Sequence, residues 1–239
     1  MTSTERSIRF DVPLYSVSDA ARHIDVPRST FDTWVRGYSS RPRGQAPVSG
    51  APVVTWIPSD SGPSVPFVGL AEGFVLAAFR EAGVPLQRIR PAIARLQAEF
   101  DIPHALASKS LYTDGAEVLY DYAESSGDTP EGKSARDLVV VRNNQRVFHE
   151  VVDTYLRRIE FAPDGWARVI HLPQYRTADV VVDPDRSFGI PIFARGAARV
   201  EVVLGRFKAG ESVESLSEEF GIPPAELFDA LRVHTDTAA

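Results

Sequence analysis

Two stretches of equal length, "SVSDAARHIDVPRSTFDTWVR" at residues 16–36 and "SVESLSEEFGIPPAELFDALR" at residues 212–232, follow one pattern. They agree at Ser16/Ser212, Val17/Val213, Pro27/Pro223 and Arg36/Arg232. Apolar residues also pair at Ile24/Phe220, Val26/Ile222, Phe31/Leu227 and Val35/Leu231. A short helix, a turn closed by proline and a second helix make a helix-turn-helix, because the residue before proline is driven out of the helical region. In the first copy Ser18 is the expected N-cap of a helix over "DAARHI", with Ala20, Ala21 and Ile24 facing inward. Arg28 or Ser29 opens the second helix, whose inner stripe is Phe31, Trp34 and Val35. The outward set is Arg28, Ser29, Thr30, Asp32, Thr33 and Arg36. Short polar and arginine side chains at the start of a second helix suit base edges and phosphates in a major groove. Arg28, Ser29, Thr30, Thr33 and Arg36 are therefore the candidate DNA-binding residues, against the alternative of a purely structural two-helix corner. The polar "RGYSSRPRGQAP" and the strand-like "PVVTWIP" that follow are expected to form a wing, with Arg41 and Arg43 reaching phosphate or minor groove.

Charge separates the two copies. The chain of 239 residues carries a net charge of −6. Residues 1–50 nevertheless hold seven arginines against five acids, a balance of +2. Residues 179–239 hold six basic residues against eleven acids, a balance of −5. DNA releases its counterions to a basic surface and repels an acidic one, so only the first copy is suited to DNA. In the second copy Glu226 stands where the first has Thr30, and a carboxylate there opposes a nearby phosphate.

The rest of the chain predicts a mainly α-helical protein with small β-hairpins. "VGLAEGFVLAAFREAG" and "PLQRIRPAIARLQAEF" read as two amphipathic helices, the second with Leu86, Ile89, Ile93, Leu96 and Phe100 inward. Hairpins are expected around Asp114-Gly115 within residues 109–122 and around Asp164-Gly165. The polar "ESSGDTPEGKSARD" marks a boundary before a helix with a wide apolar face from Val147 to Ile159. A buried strand, an Asp-Pro turn and a Gly-Ile-Pro strand then lead to a helix carrying Val200, Val203, Leu204 and Phe207 on one face. Phe207, Phe220 and Leu227 are expected to lead a trihelical core. The expected division is a winged helix-turn-helix over 1–66, a helical pair with a hairpin over 67–124, a helix with a hairpin over 138–177 and a trihelical domain over 178–239. The middle two form an α+β region.

Residues 14–100 resemble the MerR-type family, in which a winged helix-turn-helix runs directly into further helices, although no long uninterrupted dimer helix follows here. Asp183-Pro184, Gly189-Ile190-Pro191, Gly196 and Gly210-Glu211-Ser212-Val213 resemble a small domain of formerly unknown function usually encoded beside PIN-domain ribonuclease toxins. That second resemblance covers about residues 178–233. Together the two halves resemble a VapB-type antitoxin with two heads. The resemblance implies that the chain binds and neutralises a PIN-domain ribonuclease toxin and binds operator DNA to regulate its own operon. Such toxins hold Mg²⁺ with carboxylates, so an antitoxin arginine is suited to compete there. Arg186, Arg195, Arg199 and Arg206 are the candidate toxin-binding residues. The acidic series Glu211, Glu214, Glu218, Glu219 and Glu226 cannot enter such a site.

No catalytic or metal-binding constellation accompanies these motifs. His23, His104, His149, His171 and His234 lack ligand spacing, and no phosphate loop or nucleophile elbow is present. Asp183 and Asp185 read as a turn around Pro184 rather than a metal pair. Neither an enzymatic activity nor a cofactor is expected. With no cysteine, no apolar run long enough for a membrane span and no secretory signal, the composition fits a cytoplasmic protein. A single helix-turn-helix covers one half-site, so a homodimer is expected. The alternative is a MerR-like regulator that senses a small molecule, with Tyr112, Tyr120, Tyr122, Phe148 and Trp166 lining a pocket within residues 69–178.

Overall fold

The computed structural model describes residues 8–40, 48–83, 86–101, 103–113, 129 and 156–236. Strand β1 (Pro13–Tyr15) enters α1 (Val17–His23), a left-handed turn at Asp25 and α2 (Arg28–Arg36). The cap of α1 is Ser16 and not Ser18: the Ser16 hydroxyl accepts the Asp19 N–H at 3.1 Å and donates to the Asp19 carboxylate at 2.6 Å. That reciprocal pair starts the helix two residues before the expected one and leaves Ser18 in its first turn. Ala20, Ala21, Ile24, Phe31, Trp34 and Val35 are all buried, as the spacing requires.

Strands β2 (Tyr38–Ser40) and β3 (Val48–Gly50) pair antiparallel directly after α2. The expected strand at "PVVTWIP" does not form. Its backbone is claimed elsewhere: Val53 and Val54 both donate to the Trp34 carbonyl at the end of α2, and Thr55 donates to the Glu72 carboxylate. β4 (Val65–Pro66) then returns to pair with β1.

α3 (Phe67–Glu81) buries residues on every side, so it is a central helix where an amphipathic one was expected. Its only charges before Arg80 sit at Glu72, and a helix apolar all round belongs inside. Gly69 and Gly73, one turn apart, let it approach closely: a Cβ on Gly69 would overlap the Thr55 carbonyl, and one on Gly73 would lie 2.5 Å from the Phe31 ring. The buried Glu72 carboxylate is satisfied by Thr55 and by His104 at 3.0 Å. α4 (Leu86–Phe100) buries Ile89, Ala92, Ile93 and Leu96. Lys109–Thr113 is a short helix, α5, rather than the first arm of a hairpin. The preceding helical turn Ala105–Ala107 is wholly buried, and Ser108 makes an isolated bridge to Trp166. Asp114-Gly115, the boundary at residues 124–137 (Thr129 excepted), His149, Tyr120, Tyr122 and residues 147–155 of the helix expected from Val147 to Ile159 lie outside the described residues. The end of that helix does not form, since Leu156–Arg158 make a 3-10 turn and Ile159 is taken into a strand by pairing with Ile170.

β5 (Ile159–Phe161), β6 (Ala167–His171), β7 (Val180–Val182) and β8 (Ile192–Phe193) form one antiparallel sheet in sequence order, with the expected hairpin at Gly165. Arg9, only 1% exposed, donates to Asp164 at 2.6 Å and to the Ala167 carbonyl. The Tyr15 hydroxyl donates to the Gly189 carbonyl at 3.1 Å, across 174 residues. Three helices follow: α6 (Val200–Lys208), α7 (Val213–Phe220) and α8 (Pro224–Asp236). Val200, Val203, Leu204, Leu216 and Leu227 are buried, but Phe207 is exposed and Phe220 only partly covered. Among the described residues one large apolar cluster runs from Tyr15 through α3 and the sheet to Ala230, and a second, small one joins Val169, Val181 and Ile192 of the sheet.

Candidate nucleic-acid and partner interfaces

The two helical hairpins share their local construction. Ser16 and Ser212 each accept the N–H three residues on, at 3.1 Å. Nine residues after each cap the chain turns left-handed, at Asp25 (φ 56°) and at Gly221 (φ 65°). Both second helices follow a proline, Pro27 or Pro223. The sequence pairing is therefore a pairing of structures.

Their outer faces differ. On α2, Arg28, Ser29 and Arg36 are exposed, while Thr30, Asp32 and Thr33 are partly covered. Thr33 donates to the Ser29 carbonyl at 2.9 Å. Arg36 pairs with Asp32 at 2.9 Å and lies over the Trp56 ring. Arg28 has no partner among the described residues and stands at the positive end of the helix. Helix, turn, helix and strand pair thus present a hydroxyl-bearing face on which Arg22 and Arg36 are paired with Asp19 and Asp32 and Arg28 is the unpaired cation among the described residues. Arg41 and Arg43 lie outside the described residues.

The acidic hairpin carries its own cation. Arg206 on α6 pairs with Glu211 at 2.6 Å and Glu219 at 2.5 Å and lies 5.1 Å from the Phe220 ring centroid. The bonds to Glu219 and Glu211 push the Arg206 pKa up and hold both carboxyls below their usual range. Arg206 is thus committed within the chain. Of the other expected toxin-binding residues, Arg186 and Arg195 are exposed on turns, and Arg199 lies 3.4 Å from the Ser187 hydroxyl. Between them Ser187 and Phe188 adopt left-handed backbone at φ 52° and 53°, and the Phe188 ring is 69% exposed. Asp183 forms the expected turn by accepting the Asp185 N–H at 2.9 Å. No group of His, Cys, Asp or Glu among the described residues is arranged to hold a metal.

Asp229 anchors the base of this head. Its carboxylate accepts the N–H groups of Arg176, Thr177 and Ala178 at 2.7, 2.7 and 3.0 Å and pairs with Arg232. Burial pushes its pKa up, but these bonds outweigh it and hold the carboxyl low. Alongside runs a cleft between the two heads, lined by Arg22, Arg28, Gln174, Arg176, Glu201 and Arg232 among others. Nothing in the sequence flagged Gln174 or Arg176, which sit between motifs in a loop. Apart from Pro173–Arg176, the cleft lies outside residues 69–178, where a ligand pocket was expected. Among the described residues no helix is long and apolar enough to cross a membrane.

Comparison with known proteins matches residues 13–93 to a family described as "Putative DNA-binding HTH domain" and residues 180–232 to one described as "Protein of unknown function (DUF433)". The chain is 47% identical over 230 residues to the Mycobacterium tuberculosis protein named "Putative antitoxin VapB45", covering 95% of this chain and 96% of that one. It is 23% identical over 231 residues to the uncharacterized protein Rv2308 of the same organism, covering 92% and 90%. The crystal structure of Rv2018 from Mycobacterium tuberculosis superposes with a TM-score of 0.79 at 46% identity, covering 93% of this chain and 99% of that one.

Proposed function

The chain belongs to the family of the protein named "Putative antitoxin VapB45", and on that premise we propose that it is the antitoxin of a toxin–antitoxin pair. In this reading residues 1–66 bind operator DNA and residues 178–239 bind and silence a PIN-domain ribonuclease. The observation that carries it is the contrast between two hairpins of one construction: over residues 16–36 three arginines balance three aspartates, whereas over residues 212–232 five acids stand against one arginine. Phosphate is repelled by the second but not by the first, to which Arg41 and Arg43 add positive charge in the sequence that follows, so the second is left for a protein. β2 and β3 serve as the wing. Arg28 is the principal DNA contact, with Ser29, Thr30, Thr33 and Arg36 along the same helix. Arg41 and Arg43, which lie between β2 and β3 in sequence, add phosphate contacts.

On the other head, the commitment of Arg206 to Glu211 and Glu219 leaves Arg186, Arg195 and Arg199 to meet the toxin's carboxylates. The α6–α8 bundle is the scaffold that carries them. A homodimer places two copies of α2 on a palindromic operator, which closes autoregulation of the operon. The test is co-expression of the full chain with its genomic neighbour. A stable complex, loss of the neighbour's ribonuclease activity within it, and a shifted band with DNA from upstream of the pair are expected. A neighbour that neither binds nor cuts RNA would overturn the antitoxin reading.

A further inference from the structure

The cleft between the heads has a volume of about 760 Å³, within the range of small-molecule sites. One wall is α1 with the start of α2, and the other combines Pro173–Arg176, Ile190-Pro191, the start of α6 at Val200-Glu201 and the end of α8. Four guanidinium groups line it from both walls, Arg22 and Arg28 opposite Arg176 and Arg232, against two acids, Asp25 and Glu201. Arg22 is paired with Asp19 and Arg232 with Asp229. Arg28 and the Arg176 side chain have no partner among the described residues. Gln174 contributes a side-chain oxygen that is buried without a hydrogen bond. Such an acceptor costs free energy until a donor reaches it. Guanidinium forks match phosphate oxygens in geometry and charge.

We propose that this cleft is a phosphate site, in which Arg28 and Arg176, backed by Arg22 and Arg232, hold the phosphate of a nucleotide unit. On binding, the Gln174 side chain turns its buried oxygen toward the cleft, where it accepts a hydrogen bond from an amino or hydroxyl group of the same unit. The phosphate belongs either to the operator backbone crossing the mouth of the cleft or to a free mononucleotide. The first source rests on the DNA-binding reading, and extends that footprint to a loop beyond the helix-turn-helix. It makes Arg176 a phosphate contact supplied by the opposite wall.

The test uses the full chain and two variants. Arg176→Gln removes the exposed charge while keeping the backbone N–H that Asp229 accepts. Glu201→Gln removes a carboxylate that opposes phosphate. Binding to a labelled duplex from upstream of the gene, and to a scrambled duplex, is followed between about 50 and about 200 mM KCl. In a second arm, thermal melting is measured without DNA in millimolar AMP or inorganic phosphate.

If the operator backbone is the source, Arg176→Gln weakens both duplexes by the same factor, roughly three- to tenfold, and lowers the log–log salt slope by about one. Glu201→Gln then tightens both. If a mononucleotide is the source, AMP raises the melting temperature of the wild type and of Glu201→Gln but not of Arg176→Gln. Inorganic phosphate gives a smaller rise because it cannot reach Gln174. A loss confined to the upstream duplex means base reading and overturns the proposal, as does no change in either arm. Should Arg176→Gln fail to fold, Glu201→Gln decides alone, and its matching the wild type in both arms overturns the site. If the wild type binds neither duplex, the DNA-binding reading fails, and AMP alone decides for or against the cleft.

Discussion

Replacing Gly73 by alanine sets two known effects against each other inside one helix. In the middle of α3 the change favours the helix by about 1 kcal/mol through backbone entropy. The added Cβ, however, lies 2.5 Å from Phe31 Cε2 and 3.3 Å from Ile24 Cδ1. Those neighbours are 0% and 2% exposed, so neither ring nor methyl has solvent to move into. Overpacking a closed core costs about 1–3 kcal/mol. The net expectation is a loss of roughly 1 kcal/mol. Gly205 in α6 is the internal control. A Cβ there meets nothing within 4 Å, so Gly205→Ala is expected to stabilise by roughly 0.5–1 kcal/mol. Urea unfolding of both full-length variants, compared at equal m, measures the two signs. Because Phe31 belongs to α2, Gly73→Ala is also expected to weaken operator binding, which Gly205→Ala leaves intact. A Gly73→Ala chain as stable as the wild type would refute the claim that α3 holds the helix-turn-helix by close contact at this glycine.

Four further outcomes follow from the same geometry. Arg28→Ala is expected to weaken operator binding by roughly 1–3 kcal/mol in a gel-shift series, and Arg36→Ala by less, because Arg36 must first leave Asp32. Reversing Arg186, Arg195 and Arg199 together to glutamate is expected to abolish toxin neutralisation while gel shifts stay unchanged; undiminished neutralisation removes them from the interface. Asp229→Ala leaves three backbone N–H groups without their acceptor and is expected to cost roughly 3–5 kcal/mol in urea unfolding, with Asp229→Asn costing less. Burial, aided by the charge of Arg22, lowers the His23 pKa to about 4, so between about pH 6.5 and about pH 4 the unfolded chain binds a proton that the folded chain refuses. Stability is therefore expected to fall as pH drops through that window, by up to about 3 kcal/mol from this group, and His23→Gln should flatten the profile measured by urea midpoints.

What the sequence reveals is local. Ser212, Pro27, Pro223 and the apolar pairs specify the two hairpins because caps, turns and helix periodicity act within a few residues. Ser18 misleads because a capping pair is decided by its partner, and Asp19 lies three residues after Ser16. "PVVTWIP" has strand propensity but no strand, since the Trp34 carbonyl and Glu72 compete for its N–H groups from 17 or more residues away. Long-range pairing hides more. Arg9 with Asp164, and Arg176 and Gln174 opposite Arg28, are joined only by the folded core. Arg206 looks like a free cation in sequence. Its carboxylates, Glu211 and Glu219, come within reach only when α6 and α7 fold together.

The hydrogen bond from Tyr15 to Gly189 links the residue before the Ser16 cap to the loop that displays Phe188. A Cβ at Gly189 would collide with the Tyr15 hydroxyl, so the joint has no slack. Under the proposed function, a toxin that reshaped residues 186–188 would pull on β1, and an operator that reoriented α1 would pull on the loop. Equilibrium thermodynamics makes that coupling symmetric: the factor by which toxin alters operator affinity equals the factor by which operator alters toxin affinity. Under that function, substitutions that retune one response are expected to retune the other, and the pair to behave as a single dial.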